Sequence, residues 1–254
     1  MIVAVSGSSG MVGRTLVSRL RAGGHEVVRL VRRPPENAGE VLWNPETLDV
    51  DAAGLEGLDA VVHLAGENIA GGRWTSERKE RIRRSRVAGT RLLAENLTGL
   101  QAKPKVLVCA SALGYYGDRG ETPCDESTPP GEGFLPQVCV EWEAAADLAR
   151  EAGIRTVHPR IGIVLDPEEG ALARMLPLFR LGLAGPLGGG GQYWSWITLD
   201  DLVSALLFAL EREDLQGPVN AAAPESLPNR AFTRTLARVL NRPAVLPVPA
   251  FALR

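Results

Sequence analysis

The sequence predicts an α/β chain built on a doubly wound parallel sheet, with a smaller C-terminal region on the substrate side. Three observations predict it. Short apolar runs alternate with stretches of helical periodicity through the first two-thirds of the chain. The first of those runs opens directly into a glycine-rich turn and a helix. The intervals between runs are long enough for parallel crossovers, where hairpins would need only a few residues.

In order, Ile2 to Ser6 reads as a strand, and Val12, Leu16 and Leu20 recur at helical spacing until Gly23-Gly24 ends the helix. Val27 to Val31 completes a βαβ unit. Ala60 to Ala65 and Val106 to Ala110 are further strand-like runs, separated by the polar, Arg-rich segment Trp74 to Leu97, which reads as a helix. Gln137 to Glu151 is expected as one helix and Ile154 to Leu165 as one strand. Past Asp166 the periodicity fades, and Gly182 to Gln192, with six glycines and a proline, reads as loop. Leu199 to Glu211 and Asn229 to Asn241 are amphipathic helices. These elements divide into a nucleotide-binding domain over 1–165, to which 195–215 returns, and a smaller region over 166–194 and 216–254 that reads as cut short.

The chain has 254 residues, 45% of them hydrophobic and 23% charged, which suits a globular core and excludes a disordered chain. A net charge of −2 offers no broad field for nucleic acid. The three cysteines, Cys109, Cys124 and Cys139, show no CxxC spacing, so neither a disulfide framework nor a zinc site is expected. His25, His63 and His158 share no ligand spacing, and no metal is expected. The N-terminus lacks the features of a signal peptide and no run is long enough to span a bilayer, so a cytoplasmic monomer or homodimer is the expectation.

Gly7-Ser-Ser-Gly10-Met-Val-Gly13 follows a strand and opens a helix, the context in which glycines let backbone amides approach a pyrophosphate. Gly7, Ser9, Gly10, Met11, Val12 and Gly13 are therefore cofactor-binding candidates in a Rossmann-type domain. About 20 residues beyond such glycines, an acidic side chain would serve the ribose 2′-hydroxyl of NAD. Here Arg32-Arg33 ends the second strand, and a guanidinium suits the 2′-phosphate of NADP(H).

GSSGMVG, Asp59-Ala-Val-Val-His-Leu-Ala-Gly66, Ser111-Ala-Leu-Gly-Tyr-Tyr-Gly117 and Trp196-Ile-Thr-Leu-Asp200-Asp201 resemble the extended short-chain dehydrogenase/reductases, the NAD-dependent epimerase/dehydratase family. Ala65-Gly-Glu-Asn-Ile-Ala70, Val138-Cys-Val-Glu-Trp-Glu143 and Pro159-Arg-Ile-Gly162 look like its atypical, YfcH-like branch. The resemblance implies that Leu64, Ala65, Gly66 and Glu67 lie beside the cofactor, that Pro159 borders the nicotinamide, and that a short C-terminal domain begins near Leu246.

Family members normally carry Tyr and Lys four positions apart. No such pair exists here; Cys139 and Glu143 stand where the resemblance would put them, and Arg86 replaces the Asn of the usual NxxGT helix start. The candidates for chemistry each keep a plainer alternative. Ser111, at a strand end, holds a substrate oxygen or only its own turn. Tyr115 or Tyr116 serves as acid/base or packs under its loop. Cys139 donates a proton or is a small buried residue; Glu143 is a base or, with Glu141, a solvated face. Arg86 and Arg160 contact an anion, on cofactor or substrate, or make structural ion pairs. Two functions follow: an NADP(H)-dependent oxidoreductase or nucleotide-sugar-epimerase-like enzyme for a small polar substrate, or an impaired NADP(H)-binding module that serves a regulatory or cell-division partner.

Overall fold

The computed structural model describes residues 1–246, so the sequence reading of a domain beginning near Leu246 falls almost wholly outside the described residues. The chain runs β1 (Ile2–Ser6), α1 (Met11–Ala22), β2 (Glu26–Val31), β3 (Glu40–Asn44), β4 (Asp49–Val50), β5 (Ala60–His63), α2 (Ser76–Thr98), β6 (Val106–Cys109) and β7 (Ser111–Ala112). It continues through α3 (Phe134–Ala144), α4 (Asp147–Glu151), β8 (Arg155–Ile161), β9 (Ile163–Leu165) and α5 (Gly170–Arg180). Last come β10 (Tyr193–Trp194), β11 (Trp196–Thr198), α6 (Leu199–Glu211), β12 (Gly217–Ala221), β13 (Leu227–Pro228) and α7 (Asn229–Val239).

The main sheet has the order β12-β8-β6-β5-β1-β2-β3-β4, with β7 also pairing β8, and every pair is parallel except β3 with β4. Strand alternation gives it two apolar faces. Ala4, Val61 and Leu107 point to the layer holding Leu93 and Leu97 of α2, Trp142 of α3 and Ala149 of α4. Their neighbours Val3, Val5, Val62 and Val108 point to the opposite layer, with Leu16 and Leu20 of α1 and Leu202 and Leu206 of α6. The chain winds one way from β1 to β2 and β3 and the other way from β1 to β5, β6 and β8. A topological switch point therefore lies between the carboxyl ends of β1 and β5, where open α/β sheets take their ligands.

Several expectations shift. The helix expected over Gln137–Glu151 begins at Phe134 and is broken at Ala145-Ala146, two buried alanines that turn the chain into α4. The strand expected over Ile154–Leu165 is broken at Gly162. A Cβ there would stand 2.8 Å from the Ser195 carbonyl oxygen, so only glycine lets β11 come close enough to pair with β9 while β8 stays in the main sheet. The stretch 216–254, expected in the smaller region, contributes β12 to the main sheet beside β8. Helix α5 lies where periodicity was expected to fade; its Leu176 and Phe179 are buried despite Pro177 inside the helix. No helix among the described residues is long and apolar enough to cross a membrane.

Candidate functional site

A cleft of about 840 Å³ opens at the switch point. Its walls are the Gly7–Gly10 turn after β1, Arg29 to Arg33 at the end of β2, Leu64 to Asn68 after β5, Trp43 to Glu46 after β3, and Arg81, Arg84 and Ser85 of α2.

The turn needs its glycines. Gly7 has φ +65°, and a Cβ on it would lie 2.9 Å from the Leu64 carbonyl carbon. At Gly13 a Cβ would lie 2.2 Å from the Gly7 carbonyl oxygen, so α1 starts pressed against the turn. Gly10 caps α1 without a side chain, and no acidic residue stands in its first turn, which leaves the positive end of the helix dipole open to an anion.

Behind the turn, Ser6 Oγ accepts the N–H groups of Leu64 (3.1 Å) and Ala65 (3.3 Å), so its proton is left for His63 Nδ1 at 2.7 Å. That locks β1 to the segment after β5. Burial pushes the His63 imidazole down to about 4, and it is a neutral core residue.

The two arginines at the end of β2 differ. Arg33 makes two hydrogen bonds to Glu40, at 2.9 and 3.0 Å, and Glu40 is buried. The Glu36 N–H and Arg33 hold that carboxyl below the usual range. Arg32 has a single 3.3 Å contact to the exposed Glu46. The lining therefore carries five arginines, Arg29, Arg32, Arg33, Arg81 and Arg84, against Glu46 and Glu67.

A second cluster lies at the carboxyl ends of β7 and β8. Glu143 sits at its centre. Ser111 Oγ donates to Glu143 Oε1 at 2.6 Å, and Arg160 donates to both carboxylate oxygens at 2.9 Å. Arg160 also donates to the Tyr116 hydroxyl at 3.0 Å, and that hydroxyl donates to Asn220 Oδ1 at 2.7 Å. Burial opposes the charge on Arg160, yet Glu143 and Tyr116 hold its pKa above the ordinary arginine value. Burial pushes the Tyr116 phenol up against the pull of Arg160. The guanidinium lies 3.5 Å from the centroid of the Tyr115 ring, whose hydroxyl has no hydrogen-bond partner among the described residues. Burial and Glu143 push the Cys139 thiol up to about 11, so it is a neutral, buried thiol at pH 7.

Among the expected cofactor residues, Gly7, Ser9, Gly10, Arg32, Arg33, Leu64, Ala65, Gly66 and Glu67 come together around the cleft. Met11 and Val12 form the first turn of α1 next to it, and Gly13 packs beneath the turn. Pro159 is held within β8 opposite Val219, and Arg160 belongs to the second cluster. Of the expected catalytic residues, Ser111, Tyr115, Tyr116 and Glu143 meet around Arg160, and Cys139 packs within the same layer.

Sequence reasoning missed Trp43 to Glu46, Arg81 and Arg84 in the cleft and Asn220 in the cluster. The Arg-rich run of α2 was the available signal, but it reads equally as a solvated helix face.

The family model for the NAD dependent epimerase/dehydratase family matches residues 3–222. The chain belongs to that family. Among its members, an Epimerase family protein of Mycobacterium bovis is 45% identical over 253 residues, which take in all of this chain and 83% of that one. The human Epimerase family protein SDR39U1 is 38% identical over 253 residues, covering 98% of this chain and 84% of its own. A crystal structure of human SDR39U1 with NADPH superposes with a TM-score of 0.89 at 38% identity, over 98% of this chain and 83% of that one. These similarities place an epimerase-family Rossmann fold around the cleft.

Proposed function

We propose that the chain is an NADP(H)-dependent oxidoreductase of the epimerase type acting on a small polar substrate. The observation that carries this reading is the arginine-lined cleft at the switch point, with glycines that no other residue could replace at the mouth of α1. The human relative solved with NADPH supports the choice of cofactor.

In this reading Gly7, Ser9 and Gly10 receive the pyrophosphate at the N-terminus of α1, with Met11, Val12 and Gly13 shaping that first turn. Arg32 takes the 2′-phosphate, because Arg33 is already committed to Glu40. Leu64 to Glu67 close the floor, and Pro159 borders the substrate side. The cofactor, when bound, supplies or accepts the hydride.

This chain's residues have then to orient the substrate and move one proton. Ser111 gives its own proton to Glu143, so it meets a substrate as an acceptor. The Tyr116 hydroxyl is occupied on both sides, and the Cys139 thiol is held neutral by burial. Tyr115 remains: its hydroxyl has no hydrogen-bond partner among the described residues, and the Arg160 guanidinium lies over its ring and fixes it in place. Arg160 is thus a positioning residue for the Tyr115 ring, and Glu143 is the residue that holds Arg160.

The test is turnover of a panel of small carbonyl compounds and sugar nucleotides, followed by the loss of reduced-nicotinamide absorbance for net reduction and by NMR of the product for epimerisation, which returns the hydride and leaves the absorbance unchanged. A substrate in the panel should be turned over, and Tyr115→Phe should lower kcat by about 100-fold or more. Turnover of nothing in the panel, or full activity in Tyr115→Phe, would overturn the assignment.

A further inference from the structure

Arg160 is buried and Arg86 is partly buried, and of the two only Arg160 has a carboxylate partner among the described residues. Arg86 projects from α2 and lies 5.1 Å from the centroid of the Trp142 ring. It also covers Gly66 so closely that a Cβ there would stand 3.2 Å from the guanidinium carbon. Its Nη1 donates to the carbonyl oxygens of Glu67 at 3.0 Å and Ile82 at 3.2 Å. Those two bonds fix the plane of the group while using a single nitrogen.

Nε and Nη2 have no hydrogen-bond partner among the described residues. Together they form one edge of the guanidinium, whose parallel N–H bonds match the two oxygens of a carboxylate or of a phosphate.

Among the described residues no carboxylate is paired with this charge, and the Glu67 carboxylate acts on it only from farther off. No Asp or Glu oxygen among the described residues lies within ion-pair distance of Arg86, and Glu67 meets it through its backbone carbonyl. The nearby Cys139 stays a thiol, because burial and Glu143 push it up to about 11. Burial draws the pKa of Arg86 down against the opposing pull of Cys139 and Glu67, whereas Arg160 is held up by Glu143. A partly buried cation with an open, unpartnered edge gains from any anion that reaches it. Gly66, which it covers, and Glu67, which it bonds, both line the cleft.

We infer that Arg86 is the receptor for an anionic group, a carboxylate or phosphate, on a molecule bound in the cleft. Under the NADP(H) reading on which this partly rests, that group has two sources. It is the carboxylate of an acidic substrate, or it is a phosphate of the cofactor itself. The anchored Nη1 and the Trp142 platform hold the fork ready in either case.

Malonate is a suitable probe, titrated by calorimetry into the cofactor-free chain and into the chain saturated with NADPH, with malonamide as the uncharged control. The parent should bind malonate and ignore malonamide. Arg86→Gln should weaken malonate by roughly tenfold or more, and Arg86→Lys, which keeps the charge and loses the fork, should fall between. If the site serves a substrate, NADPH leaves malonate binding unchanged and Arg86→Gln leaves NADPH binding unchanged. If it serves the cofactor, NADPH displaces malonate and Arg86→Gln weakens both.

Equal malonate affinity in parent and Arg86→Gln, or no preference for malonate over malonamide in the parent, overturns the inference. Arg86→Lys covers the case in which the glutamine variant fails to fold. A chain that binds malonate through Arg86 but never binds NADPH sinks the cofactor assignment alone and leaves this one standing.

Discussion

Replacing Arg32 with alanine should erase a preference for NADPH over NADH while leaving the fold intact. Arg32 touches the protein at one point, a 3.3 Å contact to Glu46, with side chains 69% and 64% exposed. An exposed pair of this kind is worth about 0–1 kcal/mol, so little holds Arg32 back from a phosphate and little is lost when it is removed. A hydrogen bond to a charged group contributes about 1.5–3 kcal/mol, which corresponds to roughly 10- to 150-fold in affinity.

Both nucleotides would be titrated by fluorescence at one fixed ionic strength, since Trp43 lines the cleft and reports on it. The parent should favour NADPH within that range, and Arg32→Ala should bind the two alike with NADH affinity unchanged. Glu46→Gln, which frees Arg32, should tighten NADPH by no more than about fivefold. Equal affinities in the parent would refute the reasoning. A preference that survives in Arg32→Ala would transfer the role to Arg81 and Arg84 across the cleft.

Two further outcomes test the interior. His63 is pushed down to about 4 from an ordinary 6.5, so the unfolded chain takes up its proton before the folded chain does. Stability present above pH 6.5 is lost as pH falls toward 4, by up to about 3 kcal/mol. Thermal denaturation of parent and His63→Asn between neutral and acid pH should show the shallower decline in the variant, and parallel curves would dismiss the idea. At the second cluster, Arg160→Met strands the Glu143 carboxylate, whose side chain is only 14% exposed. Losing one partner of such a pair costs about 3–5 kcal/mol, or on the order of 6–20 °C in Tm for a chain of this size. Calorimetry should find a smaller loss in Glu143→Gln, which still accepts from Ser111, and identical Tm values in the two variants would contradict the account.

Most of the frame was legible in the sequence because it rests on local signals. β1, the glycine turn, α1 and β2 were all evident, since the apolar period and the glycine positions are set within about thirty residues. Features that depend on distant backbone were not. Gly162 reads as an ordinary residue in a strand until β11 arrives against it from more than thirty positions away. The β3–β4 hairpin has strands of five and two residues, too short for a periodic signal, yet it brings Trp43 to Glu46 into the cleft. The candidate site follows the same division. Gly7 to Gly13 and Arg32-Arg33 could be named from spacing. That Arg33 is tied to Glu40 while Arg32 is not depends on side-chain geometry, as does the closing of Ser111, Glu143 and Arg160 into one network through strands far apart in sequence.

The two ends of the main sheet also bear on how copies of this chain meet. An exposed strand offers a row of unsatisfied amides and carbonyls on which another chain can be templated. At one end stands β4, only two residues long; at the other stands β12, where Pro218 has no N–H to offer. Both borders are thereby poor templates for a ribbon running from one molecule into the next. Strand pairing along these two borders is therefore a disfavoured way for copies to join at high concentration.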